Sequence, residues 1–233
     1  MNLKEGEVSL SEKSQKSRFN TFLVRLIEGG YSEEEARRIV AALSRPIKDL
    51  QRKSKEANTD ELTGLFNRRG FKENARAQFE LAKRTKNKVF LMFADLDGLK
   101  EINDAYGHSA GDQALIDTAC LLQATFRELD IVARWSGDEF LVFGVETTQP
   151  RGKKDAGNDD ERVSIDAFDR RLQDNLDIFN GTELRRYSLS LSRGVIPWDP
   201  ENPGDIKDFE ALVTEADRLM YEQKRAKGIL RSE

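Results

Sequence analysis

The chain has 233 residues, of which 38% are hydrophobic and 34% are charged, and its net charge is −4 at neutral pH. This length suffices for one well-cored domain and an additional segment, and the composition excludes both a disordered chain and a membrane-embedded one. The net negative charge argues against duplex nucleic acid as a partner, because no general excess of basic residues is present to neutralise phosphates.

The amino terminus, the length of the apolar runs and the low cysteine content predict a cytoplasmic protein without a membrane segment. The amino terminus lacks the apolar core of a signal peptide, and no apolar run approaches the roughly 20 residues that span a bilayer. The single cysteine, Cys120, excludes an intrachain disulfide framework and lies in the apolar stretch 119–122, so we expect a buried structural thiol. The single histidine, His108, argues against a multi-histidine metal site.

Residues 1–57 predict a short helical segment ahead of the main domain. Apolar residues recur at helical spacing up to Gly29-Gly30, which we expect to end a first helix. Ser32 and Glu35 form the pattern of a capping box for a second, amphipathic helix. Two such helices cannot bury both of their faces alone, so they need each other, the main domain or a second chain.

From residue 58 onward the apolar pattern predicts an α+β domain. Residues 89–94 are continuously apolar, as expected for a central strand covered on both faces. Residues 136–139 separate two short apolar runs and predict a hairpin tip. The order β-α-α-β-β-α-β-α favours a sandwich in which helices cover a mostly antiparallel sheet. The expected elements are helices 67–86, 99–105, 110–126, 165–179 and 209–227, strands 89–94, 131–135, 140–145 and 186–195, and a polar loop at 149–162.

Acidic residues follow the central strand and occupy the hairpin tip. Asp95 and Asp97 come after the strand, and Asp138 and Glu139 lie at the tip. If the hairpin pairs beside the central strand, Asp95 and Asp138 converge, and two carboxylates that close need a divalent cation to neutralise them. Taken alone, an Asp-Leu-Asp pattern more often marks an ordinary turn. Together with the hairpin it predicts a site where Mg²⁺ ions bridge triphosphate oxygens.

Three motifs resemble the diguanylate cyclase, or GGDEF-domain, family: residues 60–71 (DELTGLFNRRGF), 95–112 (DLDGLKEINDAYGHSAGD) and 134–140 (RWSGDEF). The resemblance covers about residues 58–230. It implies a nucleotidyl-cyclase-like α/β sandwich related to polymerase palms, with 58–233 as the catalytic domain and 1–57 as a regulatory or dimerisation segment. It also implies a homodimer in which two facing domains condense two GTP molecules into cyclic di-GMP and release two pyrophosphates.

The resemblance implies roles for the acidic residues and for one lysine. Asp95, Asp138 and the backbone carbonyl of Leu96 match the ligands of two Mg²⁺ (or Mn²⁺) ions in each half-site. Asp138 also matches the base that accepts the 3′-hydroxyl proton, although metal binding is expected to be its main role. Glu139 is expected to support the metals or the triphosphate. Lys100 matches a lysine that acts as a mobile charge beside the phosphates.

Four further residues match substrate-binding positions of the family. Asn103 and Asp112 match the residues that bind guanine, whose N1–H and 2-amino donors a carboxylate accepts and adenine lacks. His108 matches a position near the substrate, and Lys224 matches a phosphate-binding lysine. Without the motifs, Asn103 and Asp112 would be turn and helix caps, His108 a structural hydrogen-bonding residue, and Lys224 part of a basic helix end.

Arg127 and Asp130 match the inhibitory site at which the family binds its product, cyclic di-GMP. They lie shortly before the hairpin signature, and an arginine offers a two-pronged donor to phosphate or to a guanine edge. As a bare pattern, Arg-x-x-Asp is common and usually marks a solvated helix end.

Departures from the family pattern leave other functions open. Ser136 replaces the first glycine of the signature, which gives SGDEF, and Leu99 replaces a common phenylalanine. At the C-terminal end, the family's Lys-x-x-Gly-Arg-Asn becomes KRAKGI at 224–229, where Lys227 only partly replaces the missing arginine. The alternatives are a degenerate domain that binds GTP or cyclic di-GMP as a regulatory effector, a cyclase that makes adenine-containing dinucleotides, and an interaction module built on the N-terminal helices.

Overall fold

The computed structural model describes residues 20–21, 23–146, 165–182 and 184–229, without the side chains of 43–55 and 165–167. The polar loop predicted at 149–162 therefore lies outside the described residues. The chain divides into two compact units, Met1–Lys55 and Glu56–Glu233. Within the described part of the chain, every helix is too short or too polar to cross a lipid bilayer.

The N-terminal unit contains two helices, as predicted. Helix α1 comprises residues 20–21 and 23–28 and ends at Gly30, whose φ is +97°. Helix α2 spans Glu33–Asn58, so the second helix and the polar stretch after it form one continuous element. The predicted capping box is confirmed, because Ser32 donates its amide and hydroxyl to the Glu35 carboxylate and Ser32 Oγ accepts the Glu35 amide.

The larger unit is built on a four-stranded antiparallel sheet. The strands are β1 (Val89–Leu96), β2 (Ile131–Ser136), β3 (Glu139–Val145) and β4 (Leu191–Trp198), in the spatial order β2-β3-β1-β4. All eight residues of β1 are buried, which confirms the prediction of a central strand covered on both faces.

Helices cover both faces of the sheet, so the predicted α+β sandwich is confirmed. One face carries α3 (Arg68–Thr85) and α7 (Phe209–Ala226), and the other carries α4 (Leu99–Tyr106), α5 (His108–Thr125) and α6 (Ile165–Gly181). Successive side chains of a strand point to opposite faces. Val89, Leu91 and Phe93 accordingly pack in the α3/α7 cluster, whereas Phe90, Met92, Ala94 and Leu96 pack in the α4/α5/α6 cluster.

Helix α7 lies close against β4 because Gly194 has no side chain. A Cβ atom built on Gly194 would lie 2.1 Å from the carbonyl oxygen of Ala216 and 2.3 Å from the amide nitrogen of Met220. These distances are well below van der Waals contact, so the helix backbone rests directly on the strand. This close packing fixes the height of α7 above the sheet.

Two predictions for α5 and β4 were wrong. Cys120 is exposed rather than buried, because the helical rotation turns it outward while its neighbours Ala119 and Leu122 face the core. Strand β4 begins at Leu191 rather than near residue 186. The residues before it are held by a side chain instead, since Arg185 and Tyr187 both donate hydrogen bonds to the buried carboxylate of Asp117.

Candidate functional site

Asp95 is the penultimate residue of β1, not the first residue after it as the sequence indicated. It is 4% exposed and faces the α3/α7 layer, where Lys224 Nζ lies 2.7 Å from its Oδ1 atom. The strand register sets Asp95 opposite Glu139 on β3 and Ser192 on β4. Among the described residues, Oδ1 receives no hydrogen bond of normal geometry, so the contact with Lys224 is an ion pair only.

Burial raises the pKa of Asp95 to about 6. The ion pair with Lys224 opposes this shift, and the negative charges of Asp138 and Asp97 add to it. A buried carboxylate that also feels two like charges is costly to ionise. The register that sets Asp95 opposite Glu139 also brings Asp138, the residue before Glu139, to the end of β1.

The hairpin tip is joined to the end of β1 through the backbone. Leu96 donates its amide N–H to the carbonyl oxygen of Asp138 at 2.9 Å. Glu139, which the sequence assigned to the tip, is instead the first residue of β3, and both it and Asp138 are half-buried. The Ser136 hydroxyl donates to the Glu139 carboxylate. The serine that departs from the family pattern is therefore bonded to a predicted catalytic residue.

Arg134 links the same hairpin tip to Asp60. Its Nε atom donates to the carbonyl oxygen of Gly137 at 2.8 Å, and its guanidinium pairs with Asp60 at 3.3 Å. Asp60 also accepts hydrogen bonds from the amide and hydroxyl of Thr63. The first and third motifs of the sequence thus contact each other. Sequence reasoning assigned no role to Arg134 or Asp60, although both lie inside the motifs.

The two aspartates of the Asp-Leu-Asp motif have different surroundings. Asp97 accepts hydrogen bonds from the hydroxyls of Ser190 and Ser192, each at 2.7 Å, and from Lys227 Nζ at 2.8 Å. Its two oxygens are fully engaged by these donors, whereas Asp95 has only the ion pair with Lys224. Of these two aspartates, Asp95 is therefore the one with an oxygen suited to a further cation.

Helices α4 and α5 carry the predicted substrate-binding residues. Asn103 on α4 is half-buried against Gly111 of α5, where a Cβ atom would lie 2.0 Å from Asn103 Oδ1. The next residue of α5 is Asp112, which is one position along the chain from this contact. Lys100 near the start of α4 and His108 at the start of α5 are both exposed, as is Asp112.

Arg127 and Asp130 form a turn between α5 and β2. Asp130 Oδ2 accepts the backbone N–H of Arg127 at 2.8 Å, and the Asp130 amide donates to the carbonyl oxygen of Arg127 at 3.0 Å. Burial raises the pKa of Asp130, while the positive charges of Arg127 and Arg171 oppose this rise. Arg171 on α6 is a basic neighbour that the sequence pattern did not identify.

The donor atoms at the end of β1 suit a hard cation. Within the described ranges, no group of three or more His, Cys, Asp or Glu side chains is arranged to hold a metal ion. Two carboxylates, Asp95 and Asp138, and the backbone carbonyl of Leu96 are all oxygen ligands, the type that Mg²⁺ and Mn²⁺ prefer. Mg²⁺ commonly takes one or two protein carboxylates and completes its coordination with phosphate oxygens and water. The buried, incompletely hydrogen-bonded Asp95 Oδ1 fits that arrangement.

The sequence matches the family profile described as "Diguanylate cyclase, GGDEF domain" over residues 57–228. It is 31% identical over 173 residues to the diguanylate cyclase DgcP of Escherichia coli, covering 74% of this chain and 46% of that protein. It is also 33% identical over 168 residues to the cyclic di-GMP phosphodiesterase PdeR of the same organism, covering 72% of this chain and 22% of that one. The chain thus spans less than half of these curated relatives.

Solved structures with the same fold come from several GGDEF proteins. The coiled coil and GGDEF domain of DgcB from Caulobacter crescentus, in complex with c-di-GMP, aligns with a TM-score of 0.65 at 22% identity and covers 84% of this chain and 96% of that chain. The diguanylate cyclase SiaD from Pseudomonas aeruginosa, in complex with its activator SiaC, aligns with a TM-score of 0.58 at 27% identity and covers 93% of this chain and 74% of that chain.

Proposed function

The chain belongs to the diguanylate cyclase GGDEF-domain family, and we propose that it condenses two GTP molecules into cyclic di-GMP. The observation that supports this activity is that the end of β1 and the hairpin tip meet: buried Asp95 lies against Lys224, and the next residue, Leu96, donates its amide to the carbonyl oxygen of Asp138. The two acidic groups are suited to bind a cation, and the lysine is suited to pair with a triphosphate.

Asp95, Asp138 and the carbonyl oxygen of Leu96 would hold Mg²⁺ or Mn²⁺. When bound there, such ions would supply the positive charge that polarises the α-phosphate and stabilises the departing pyrophosphate. Lys224, whose Nζ lies against Asp95, and exposed Lys100 would neutralise the remaining triphosphate charge.

In the reaction, the 3′-hydroxyl of each GTP attacks the α-phosphate of the other. Each attack forms one phosphorus–oxygen bond, breaks the bond to the β-phosphate and releases one pyrophosphate, so the two attacks close the ring. Each hydroxyl loses a proton, for which Asp138 is the nearest candidate acceptor. Glu139 would support this end of the site from the first position of β3.

Guanine would bind at Asn103, which packs against Gly111, and at Asp112, the residue after that glycine. A carboxylate accepts hydrogen bonds from N1–H and the 2-amino group of guanine, whereas adenine offers neither donor there. This pair therefore favours GTP over ATP.

One domain would hold one GTP, so turnover requires two domains that face each other. We infer that residues 18–57 bring two chains together, because a dimer sets how close the two half-sites lie and therefore how fast the bound nucleotides can react. Cyclic di-GMP would inhibit the enzyme at Arg127 and Asp130, where Arg171 adds a second positive charge.

Incubation of the purified chain with GTP and Mg²⁺, followed by chromatography of the products, tests the activity. We expect cyclic di-GMP and pyrophosphate in a 1:2 ratio, and a loss of at least about 100-fold in rate for Asp95→Asn and Asp138→Asn, since each removes a cation ligand. Asp217→Asn, an exposed change on α7, is the matched control and should keep the wild-type rate. Addition of excess ATP should leave the product unchanged.

A regulatory domain that binds GTP or cyclic di-GMP without turnover is the second candidate. The hydrogen bond from Ser136 to Glu139 favours it, because this bond ties a catalytic candidate to a side chain that a glycine would lack. Nucleotide binding without any product in the incubation would establish this alternative and refute the cyclase.

A further inference from the structure

The C-terminal end of α7 meets the end of β1 at two lysine–aspartate contacts. Lys224 lies against Asp95, and Lys227 Nζ lies 2.8 Å from Asp97 Oδ2. Helix residues three apart share a face, and so do strand residues two apart. The two contacts therefore join the C-terminal end of α7 and its C-cap residue, Lys227, to the end of β1 and the turn residue that follows it, Asp97.

The ammonium group of Lys227 has three hydrogen-bond acceptors, one for each of its hydrogens. Besides Asp97, Nζ donates to the carbonyl oxygen of Leu191 at 2.8 Å and to Ser190 Oγ at 3.3 Å. A lysine ammonium has three donors, so all of them are directed into the protein. Lys227 cannot donate to a phosphate without giving up one of these bonds.

The backbone fixes Lys227 at this position. Gly228 adopts a left-handed conformation (φ +70°), and its amide donates to the carbonyl oxygen of Arg225, while the Ile229 amide donates to that of Lys224. These two bonds form a Schellman motif that ends α7 directly after Lys227. The helix therefore stops where the side chain of its C-cap residue, Lys227, reaches Asp97.

We propose that Lys227 is a positioning residue, whose bonds to Asp97, Ser190 and Leu191 hold the last turn of α7 so that Lys224 stays at Asp95. It acts through Lys224 and does not bind the triphosphate itself. This role rests on the proposed cyclase function, in which Lys224 serves the phosphates. In this proposal Asp97, the second aspartate of the Asp-Leu-Asp motif, holds the end of the helix, and Asp95, the first, binds the cation.

Lys227→Met in the whole chain removes all three donors and keeps an unbranched side chain. Hydrogen–deuterium exchange of the nucleotide-free protein should show the amides of the last turn of α7 exchanging at least about tenfold faster, because this turn then opens more easily. Arg225→Met, an exposed cation in the same turn, is the matched control and should leave exchange unchanged. Lys227→Arg, which keeps a cation in reach of Asp97, should restore most of the protection.

A double-mutant cycle then separates positioning from phosphate binding. If Lys227 acts through Lys224, Lys227→Met lowers kcat/KM for GTP about tenfold in the wild type and less than about twofold in the Lys224→Met background. Equal losses in both backgrounds, an unchanged kcat/KM in an active enzyme, or unchanged exchange would each overturn the proposal. If the wild type makes no cyclic di-GMP, the cyclase function fails instead, and exchange alone still decides whether Lys227 holds the helix.

Discussion

Asp95 holds a negative charge where the fold supplies little solvation. Its carboxyl group lies on a fully buried strand, with the negative charges of Asp138 and Asp97 nearby and Lys224 as its own ion-pair partner. A buried carboxylate of this kind is stabilised by a cation that replaces its lost hydration. The same burial that raises its pKa to about 6 therefore suits it to the cation-binding role proposed for it.

We expect the Asp95 carboxyl to titrate near pH 6 in the metal-free protein. Carbon-13 NMR of the labelled carboxyl measures this midpoint. Asp138→Asn should lower it, because a like charge is lost, and Lys224→Met should raise it, because the compensating cation is lost. A midpoint at the ordinary aspartate value of 3.8, or one that both variants leave unchanged, would contradict the electrostatics described above.

The shifted pKa also sets the sign of a pH effect on stability. The folded-state pKa of Asp95 exceeds the value of 3.8 of an unperturbed aspartate, so the folded protein binds the extra proton between these values. The contribution of this carboxyl to the free energy of unfolding is therefore full below about pH 4 and is lost as the pH rises through about 6. Urea unfolding of the wild type and Asp95→Asn across this range isolates the contribution.

Ser136 differs from a glycine in two ways, and two variants separate them. Ser136→Gly removes both the side chain at the hairpin tip and the hydrogen bond to Glu139, so we expect kcat/KM for GTP to rise several-fold. Ser136→Ala keeps Cβ and removes only the hydroxyl. If the hydrogen bond restrains Glu139, the alanine variant should match the glycine variant. If steric crowding dominates, it should match the wild type, and a fall in rate for both variants would mean that the serine assists catalysis.

At the scale of elements, α7 is the helix on which the site most depends. It carries Lys224 and Lys227, and its height above the sheet is set by its contact with Gly194. A site assembled between a strand and a helix tolerates little movement of either one. The packing at Gly194 and the geometry at Asp95 are therefore linked.

Gly194→Ala should destabilise the protein by about 1–3 kcal/mol, because the added Cβ overlaps the backbone of α7 and forces it away from the sheet. The displacement should also loosen the contact between Lys224 and Asp95. Gly181→Ala at the end of α6 is the matched control: no described heavy atom lies within 4 Å of the added Cβ, so we expect a change within about 0.5 kcal/mol. The urea midpoints of the three proteins measure the difference, and equal midpoints would contradict close packing at Gly194.

Local signals in the sequence were enough to predict most elements. The apolar run of β1 and the Ser32–Glu35 capping box each depend on residues close together in the chain, and the structure contains both of them. Cys120 was misjudged because an apolar run shows composition but not which helix face each residue occupies. The start of β4 was misplaced for a different reason: the preceding residues are held by Asp117, 68 positions away from Arg185.

The candidate site likewise combines a feature that the sequence predicted with one that it did not. The proximity of Asp95 to Asp138 followed from assuming that the hairpin pairs beside the central strand, and the register of β1 and β3 shows that pairing. The bond between Asp97 and Lys227 joins residues 130 positions apart on a strand and the last helix. No spacing rule in the sequence predicts that contact, because it depends on how far α7 extends and on which face it presents to the sheet.

At the scale of the whole molecule, the two compact units suggest a division between assembly and chemistry. The long helix α2 has exposed ion pairs at its start, Glu33–Arg37 and Glu34–Arg38, and Ala36 is buried between them. Exposed pairs of this type add little stability, so the apolar residues that share a face with Ala36, namely Ile39 and Val40, are the feature of this helix suited to a partner. A second copy of the chain is the partner that the proposed reaction between two half-sites requires.

Removal of residues 1–55 should therefore leave GTP binding intact and lower the rate of cyclic di-GMP synthesis per chain. The truncated unit meets its partner only by diffusion, so the loss should reach about tenfold or more at low protein concentration and shrink as the concentration rises. Light scattering and initial rates over a concentration series measure assembly and activity in the same samples. Replacing residues 1–55 with an unrelated dimeric coiled coil should restore the rate if assembly is what the segment provides. A monomeric truncated protein with the full rate per chain at low concentration would show that the N-terminal helices are dispensable for bringing the half-sites together.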